Sequence, residues 1–202
     1  MRNIILASTS GIRLKILNDF GFNVKVEAAN IDEDEIKSSL LAEKFSSFDI
    51  SRALAETKAK KISSKIYDEI VLGADQVLDF GGNIFNKPET MELAMNLMQR
   101  LNGKEHSLFS SICLSKNGST LWIHTERVIL KMKRFSDNFI KDYLQKVGLE
   151  TIKKYGDGDG DDDHDDDDDD GDHDDGDDGD GDHDMLMMTM MRIMMTMMVT
   201  IS

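Results

Sequence analysis

The sequence predicts an α/β fold, and three observations carry it. Residues 3–6, Asn-Ile-Ile-Leu, read as a short buried strand that runs through a loop of small hydroxyl residues into a helix. Residues 50–66 form a long amphipathic stretch, followed at once by the apolar run Ile70-Val71-Leu72, so a helix feeds a strand. Residues 107–114 and 119–124 flank Lys116-Asn117-Gly118, a strong hairpin signal.

Taken in order, the first loop is Ala7-Ser8-Thr9-Ser10-Gly11, and Ile12, Leu14, Ile16, Leu17 and Phe20 then fall near helical spacing until Gly21. Such a loop offers backbone N–H groups and a helix N-terminus to an anion, with Arg13 as a forked donor. It reads equally as a serine-rich cap with a solvent-facing arginine. Residues 22–26 alternate as a second strand. The acids 32–35 are either a solvated helix start or a source of carboxylate oxygens for a hard cation. Beyond them, helical order is only partial as far as Phe48.

The helix over 50–66 takes Ser51 as a candidate cap, and in the absence of a functional role Lys58 and Lys61 lie on its solvent side. In residues 71–90, VLGADQVLDFGGNIFNKPET, an apolar run presents Asp75 and then a Gly81-Gly82 turn leading to Lys87-Pro88. An acid at a strand end, followed by a hairpin and a lysine, is how many α/β enzymes set a reactive carboxylate beside an anion. The alternative is a surface aspartate at a turn. Residues 89–101 read as a helix with Leu93, Leu97, Met98 and Leu101 inward. Residues 127–132 alternate as a further strand, and Ser136 starts a helix ending near Gly148. His106 and His124 lack metal-ligand spacing and read as structural polar residues, and the single Cys113 as a small core residue.

The 202 residues carry a formal charge of −15, but residues 157–184 hold 19 of the 39 acids and no base, so residues 1–156 carry a net +3. Before residue 157 no apolar run approaches the roughly 20 residues of a membrane span, and the 18 residues 185–202 are interrupted by Arg192 and threonines. The N-terminal Met-Arg-Asn-Ile-Ile-Leu is too short an apolar run for a signal peptide and turns polar at once, which predicts a cytoplasmic protein.

The ordered set LASTSGIR (6–13), NIDEDEIK (30–37), LAETKA (54–59), LGADQVL (72–78), KP (87–88), LNGKEH (101–106) and FS..F...YL...G (135–148) resembles the Maf family of nucleoside triphosphate pyrophosphatases. GADQ, in place of GADT, is similar to one bacterial branch. The resemblance covers residues 2–156. It implies a mixed sheet with flanking helices and two lobes around a central cleft. It also implies hydrolysis of a nucleoside triphosphate to the monophosphate and pyrophosphate with Mg²⁺ or Mn²⁺, a house-cleaning activity linked to arrest of cell division. By the same resemblance Asp75 is the proton acceptor. Ser8, Ser10, Arg13, Lys58, Gln76 and Lys87 bind substrate, and Glu33 and Asp75 bind the metal. A homodimer is left open, and neither nucleic acid nor membrane is implied as a partner.

Three departures stand out. The family's SPRR loop is Ser10-Gly11-Ile12-Arg13, with one cation fewer. Gln76 replaces a common threonine. After Gly156 the family's last quarter, with a glutamine or glutamate bordering the site, gives way to Asp/Gly/His repeats and then to a methionine-rich stretch over 185–202. Thr-Met-Met occurs at 189–191 and 196–198, as Asp codons read one nucleotide out of frame would produce. We therefore read the tail, 157–202, as one trinucleotide repeat in two frames and as disordered: residues 157–184 bury no apolar area and repel themselves, and the methionine-rich 185–202 is prone to aggregate. This leaves an alternative: a truncated or frameshifted product that binds nucleotide without turnover.

Overall fold

The computed structural model describes residues 2–86 and 88–157. Six strands form one mixed sheet: β1 (Arg2–Leu6), β2 (Phe22–Val26), β3 (Val71–Phe80), β4 (Asn83–Phe85), β5 (Glu105–Lys116) and β6 (Ser119–Lys131). The order is β2-β1-β3-β5-β6. β1 runs parallel to β2 and β3, whereas β4 and β5 are antiparallel to β3. The helices are α1 (Gly11–Asp19), α2 (Glu33–Ala42), α3 (Ser47–Ser63), α4 (Met91–Leu101) and α5 (Asp137–Asp157).

Alternation along β3 assigns its two faces. Leu72 and Ala74 join Ile112 and Leu114 of β5 in a cluster with Ile16 and Leu17 of α1. The opposite face packs on α3: Val77 meets Ile50 and Leu54, and Cys113 meets Ala55 and Ala59. Gly73 lies under this helix, where a Cβ would come within 2.2 Å of the Ala55 carbonyl oxygen and 2.6 Å of the Ala59 nitrogen. The helix therefore rests directly on the strand's backbone. α4 and α5 form a lobe with its own cluster, Ala94, Ile140 and Leu144. Arg100 of α4 stacks over the Phe85 ring at 4.5 Å.

One edge of β3 is shared. Ile5 and Leu6 pair with Val71 and Leu72, and β4 pairs only with residues 78–80. Among the described residues, 73–77 therefore have no strand on that side, although β5 pairs with all of them on the other.

Several expectations need correction. Asp75 is in mid-strand, because β5 holds β3 straight through it; the strand that ends nearby is β1. Residues 119–124 and 127–132 are not two strands. β6 is continuous through the polar Thr125 and Glu126 because each faces a serine of β5, Ser111 and Ser110. Ser46, not Ser51, caps α3, through a reciprocal capping box with Asp49. Ser51 is buried and hydrogen-bonds the Ser111 hydroxyl at 2.8 Å. Leu93 is exposed, and the buried position of that turn is Ala94. The segment after Asp32 is a regular helix whose first turn holds the acids. The last helix passes Gly148 through a break at φ 75°, ψ 155° and continues to Asp157.

His106 and Cys113 are buried, and burial raises the Cys113 thiol pKa. His124 stacks on Trp122 and lies 3.4 Å from Glu126. Lys87 and residues 158–202, with the repeat and methionine segments, lie outside the described residues.

Candidate functional site

The site gathers where β1 stops and β3 continues. The chain leaves Leu6 into the hydroxyl loop, and Ser10 caps α1 by accepting from the Arg13 amide. Ser8 Oγ accepts from the Ser10 amide at 3.2 Å and from Arg13 Nη1 at 3.0 Å, which turns the guanidinium back over the loop. Ser8, Ser10 and Arg13 therefore form one unit at a helix N-terminus, suited to phosphate oxygens.

Asp75 projects on the α3 face, two residues along from Gly73. The close seat of α3 on Gly73 brings Lys58 onto it, with Nζ 2.8 Å from Asp75 Oδ1. The same Nζ is 2.7 Å from Oε1 of Glu33, the first residue of α2. Asp32 caps that helix by accepting from the Glu35 amide. One ammonium thus bridges two carboxylates. Asp75 is 5 % exposed, and its Oδ2 is buried with no hydrogen-bond partner.

The two acids respond oppositely to the shared lysine. Burial raises the Asp75 pKa, and Glu33 adds to this against the pull of Lys58 and Arg13. Burial also pushes Glu33 upward, but Lys58, with smaller help from Lys37 and Arg13, holds it below its ordinary value. The difference is depth: Glu33 sits at the rim and Asp75 beneath it.

Gln76 points to the other face of the sheet, where its amide donates to Ser110 Oγ at 2.9 Å. Ser110 pairs in register with Glu126 of β6, so Gln76, Ser110 and Glu126 form a polar row across the strands. The sheet brings together Asp75, Lys58, Glu33, Arg13, Ser8 and Ser10, and sets Gln76 beside them on the reverse face. The sequence reading missed the hydroxyls of Ser51, Ser111 and Thr125, which hydrogen-bond in series in the register row of Asp75. Their signal is the set of serines on one face of β5, Ser107, Ser111 and Ser115, at alternate spacing with Phe109 and Cys113 between them.

Lys37 and Asp34 of α2 both hold the side chain of Asn86, at 3.3 and 3.1 Å. Among the described residues no three His, Cys, Asp or Glu side chains converge as a metal cluster.

A protein of Pelagibacter ubique (strain HTCC1062) named nucleoside triphosphate pyrophosphatase is 45% identical over 155 residues, 77% of this chain and 80% of that one. One of that name from Ruegeria sp. (strain TM1040) is 41% identical over 144 residues, 71% of this chain and 72% of that one. A 7-methyl-GTP pyrophosphatase of Rhizobium meliloti (strain 1021) is 35% identical over 153 residues, 76% of this chain and 77% of that one. The family model described as Maf-like protein matches residues 3–156, and the chain belongs to that family.

Proposed function

We propose that this chain hydrolyses nucleoside triphosphates to the monophosphate and pyrophosphate, with Asp75 as proton acceptor. The observation that carries the reading is Asp75 itself, a carboxylate buried at a break in the sheet edge, beside a loop and helix N-terminus suited to phosphate. Its burial makes it more basic than an exposed aspartate, as proton abstraction from water at neutral pH requires. Water loses its proton to Asp75 and attacks at the α–β anhydride; the bridging P–O bond breaks and pyrophosphate leaves. Ser8, Ser10 and Arg13 hold phosphate oxygens, and Lys58, with Lys87, offsets the charge on the leaving group.

Asp75 and Glu33 fit a divalent cation, Mg²⁺ or Mn²⁺. They are hard oxygen donors on either side of one point, and Asp75 Oδ2 is buried without a partner. When bound, the cation supplies positive charge against the polyphosphate. Among the described residues, Asp75 and Glu33 are the side chains that would hold it. Gln76, on the reverse face with Ser110 and Glu126, is assigned to the base. No described helix is long and apolar enough to cross a membrane, and we place the activity in the cytoplasm.

The test is pyrophosphate release from a panel of nucleoside triphosphates, 7-methyl-GTP among them, with Mg²⁺ or Mn²⁺. Asp75→Asn should lower release by on the order of 10²–10⁴-fold. A chain that unfolds cooperatively but releases nothing from any member of the panel would refute the reading.

A further inference from the structure

One oxygen of each carboxylate that would hold a divalent cation is already in use. Lys58 Nζ lies 2.7 Å from Glu33 Oε1 and 2.8 Å from Asp75 Oδ1, so the ammonium occupies the point at which the two carboxylates converge. A divalent cation takes carboxylate oxygens at about 2.0–2.6 Å and cannot share that point with an ammonium. We infer that Lys58 is the built-in occupant of the cation position, so that a divalent cation binds both carboxylates only when the lysine has moved to another anion. This rests on the pyrophosphatase reading for its purpose, but not for its geometry.

Two features make the exchange physical. The lysine side chain is about one-tenth exposed, so leaving the carboxylates without a new partner strands a desolvated charge. In the free protein, that cost opposes metal binding. A polyphosphate removes it, because the flexible four-carbon stem can carry the ammonium to phosphate oxygens at the same site. Metal and nucleotide therefore bind with positive coupling, each easing the other's entry. Asp75 Oδ2, buried and unpartnered, is an oxygen the lysine does not satisfy and a cation would. Gly73 fixes α3 on the strand, so the exchange has to be a swing of one side chain and not a shift of the helix.

The test needs no nucleotide. Mn²⁺ is titrated into the full chain, with free ion followed by electron paramagnetic resonance, for wild type, Asp75→Asn, Lys58→Met and the double variant. The acidic residues 157–184 are common to all four and cancel in the comparison. Wild type and Asp75→Asn should titrate alike. Lys58→Met should gain one Mn²⁺ site at least about tenfold tighter than any in wild type, and the double variant should lose it. Mn²⁺ should also raise the melting temperature of Lys58→Met and leave that of wild type unmoved. If Lys58→Met does not fold, Lys58→Gln carries the same comparison. An Asp75-dependent Mn²⁺ site in the wild-type chain overturns the inference, as does a lysine variant that gains none. Pyrophosphate release separates the two readings. A wild type that turns over while its lysine variant gains no site refutes only the exchange; a wild type that releases nothing refutes the activity and leaves the titration standing.

Discussion

Asp75 and Glu33 share one ammonium, and their protonation has opposite consequences for stability. The folded pKa of Asp75 is raised above its ordinary 3.8, so the folded state keeps the proton to higher pH than the unfolded chain does. As pH rises above about 3.8 toward the folded value, ionisation of Asp75 lowers stability. Asparagine does not ionise, so the melting temperature of Asp75→Asn should gain on wild type across that window; a difference that stays flat with pH would contradict the burial argument. Glu33 runs the other way. Its pKa is depressed below 4.5, so its contribution is present above that value and is lost as pH falls through the depressed one. Glu33→Gln should therefore destabilise at neutral pH, with the deficit closing in acid, as followed by thermal unfolding. Asp75 was legible through the GADQ motif, whereas the burial of Lys58 was not. Lys58 stands four residues from both Leu54 and Ile62, on the buried stripe of α3, but lysine is so rarely buried that its residue type sent it to solvent against that spacing.

At the scale of elements, the seat of α3 on β3 decides whether the site assembles. An alanine at residue 73 would drive its methyl group into the Ala55 carbonyl and the Ala59 amide, backbone atoms that no rotamer change can move. Gly73→Ala should cost about 1–3 kcal/mol or more in denaturant unfolding. It should also weaken turnover beyond what the stability loss explains, because Lys58 rides on the displaced helix. Ser46→Ala, which removes the capping box far from the carboxylates, should cost about 1 kcal/mol without that second effect. The helices α1, α3 and α4 were readable from their apolar spacing to within a few residues, whereas α2 showed only partial order and α5 runs nine residues past the Gly148 at which its end was expected. Strand lengths were less so: β6 was split at Thr125-Glu126 because polar residues mark breaks when the partner strand is unseen, and Ser110 and Ser111 opposite them belong to a different stretch of chain.

Across the whole molecule, the sheet and the α4–α5 lobe have separate cores. Ile140 is fully buried within the lobe's cluster, so Ile140→Ala should cost about 2–5 kcal/mol locally. Amide hydrogen exchange should then open α4 and α5 first, with β3 and β5 still protected; simultaneous loss of protection would mean one cooperative unit. The strand order was beyond local reading, since it depends on contacts distant in sequence; the family resemblance implied a mixed sheet and no order within it. That resemblance also brought Glu33, Lys58 and Asp75 to one place from three segments, which spacing alone could not do.

The unpartnered edge at residues 73–77 carries one last consequence. Exposed strand edges invite other chains to dock, and proteins ordinarily blunt them with charge or proline. This one is bracketed by β1 and β4, leaving an opening of about 16 Å at roughly 3.3 Å per residue. An intruding strand would collide with its neighbours at both ends, whereas a small molecule would not. The sheet can therefore leave its strand unpaired at the reactive position without becoming a template for aggregation.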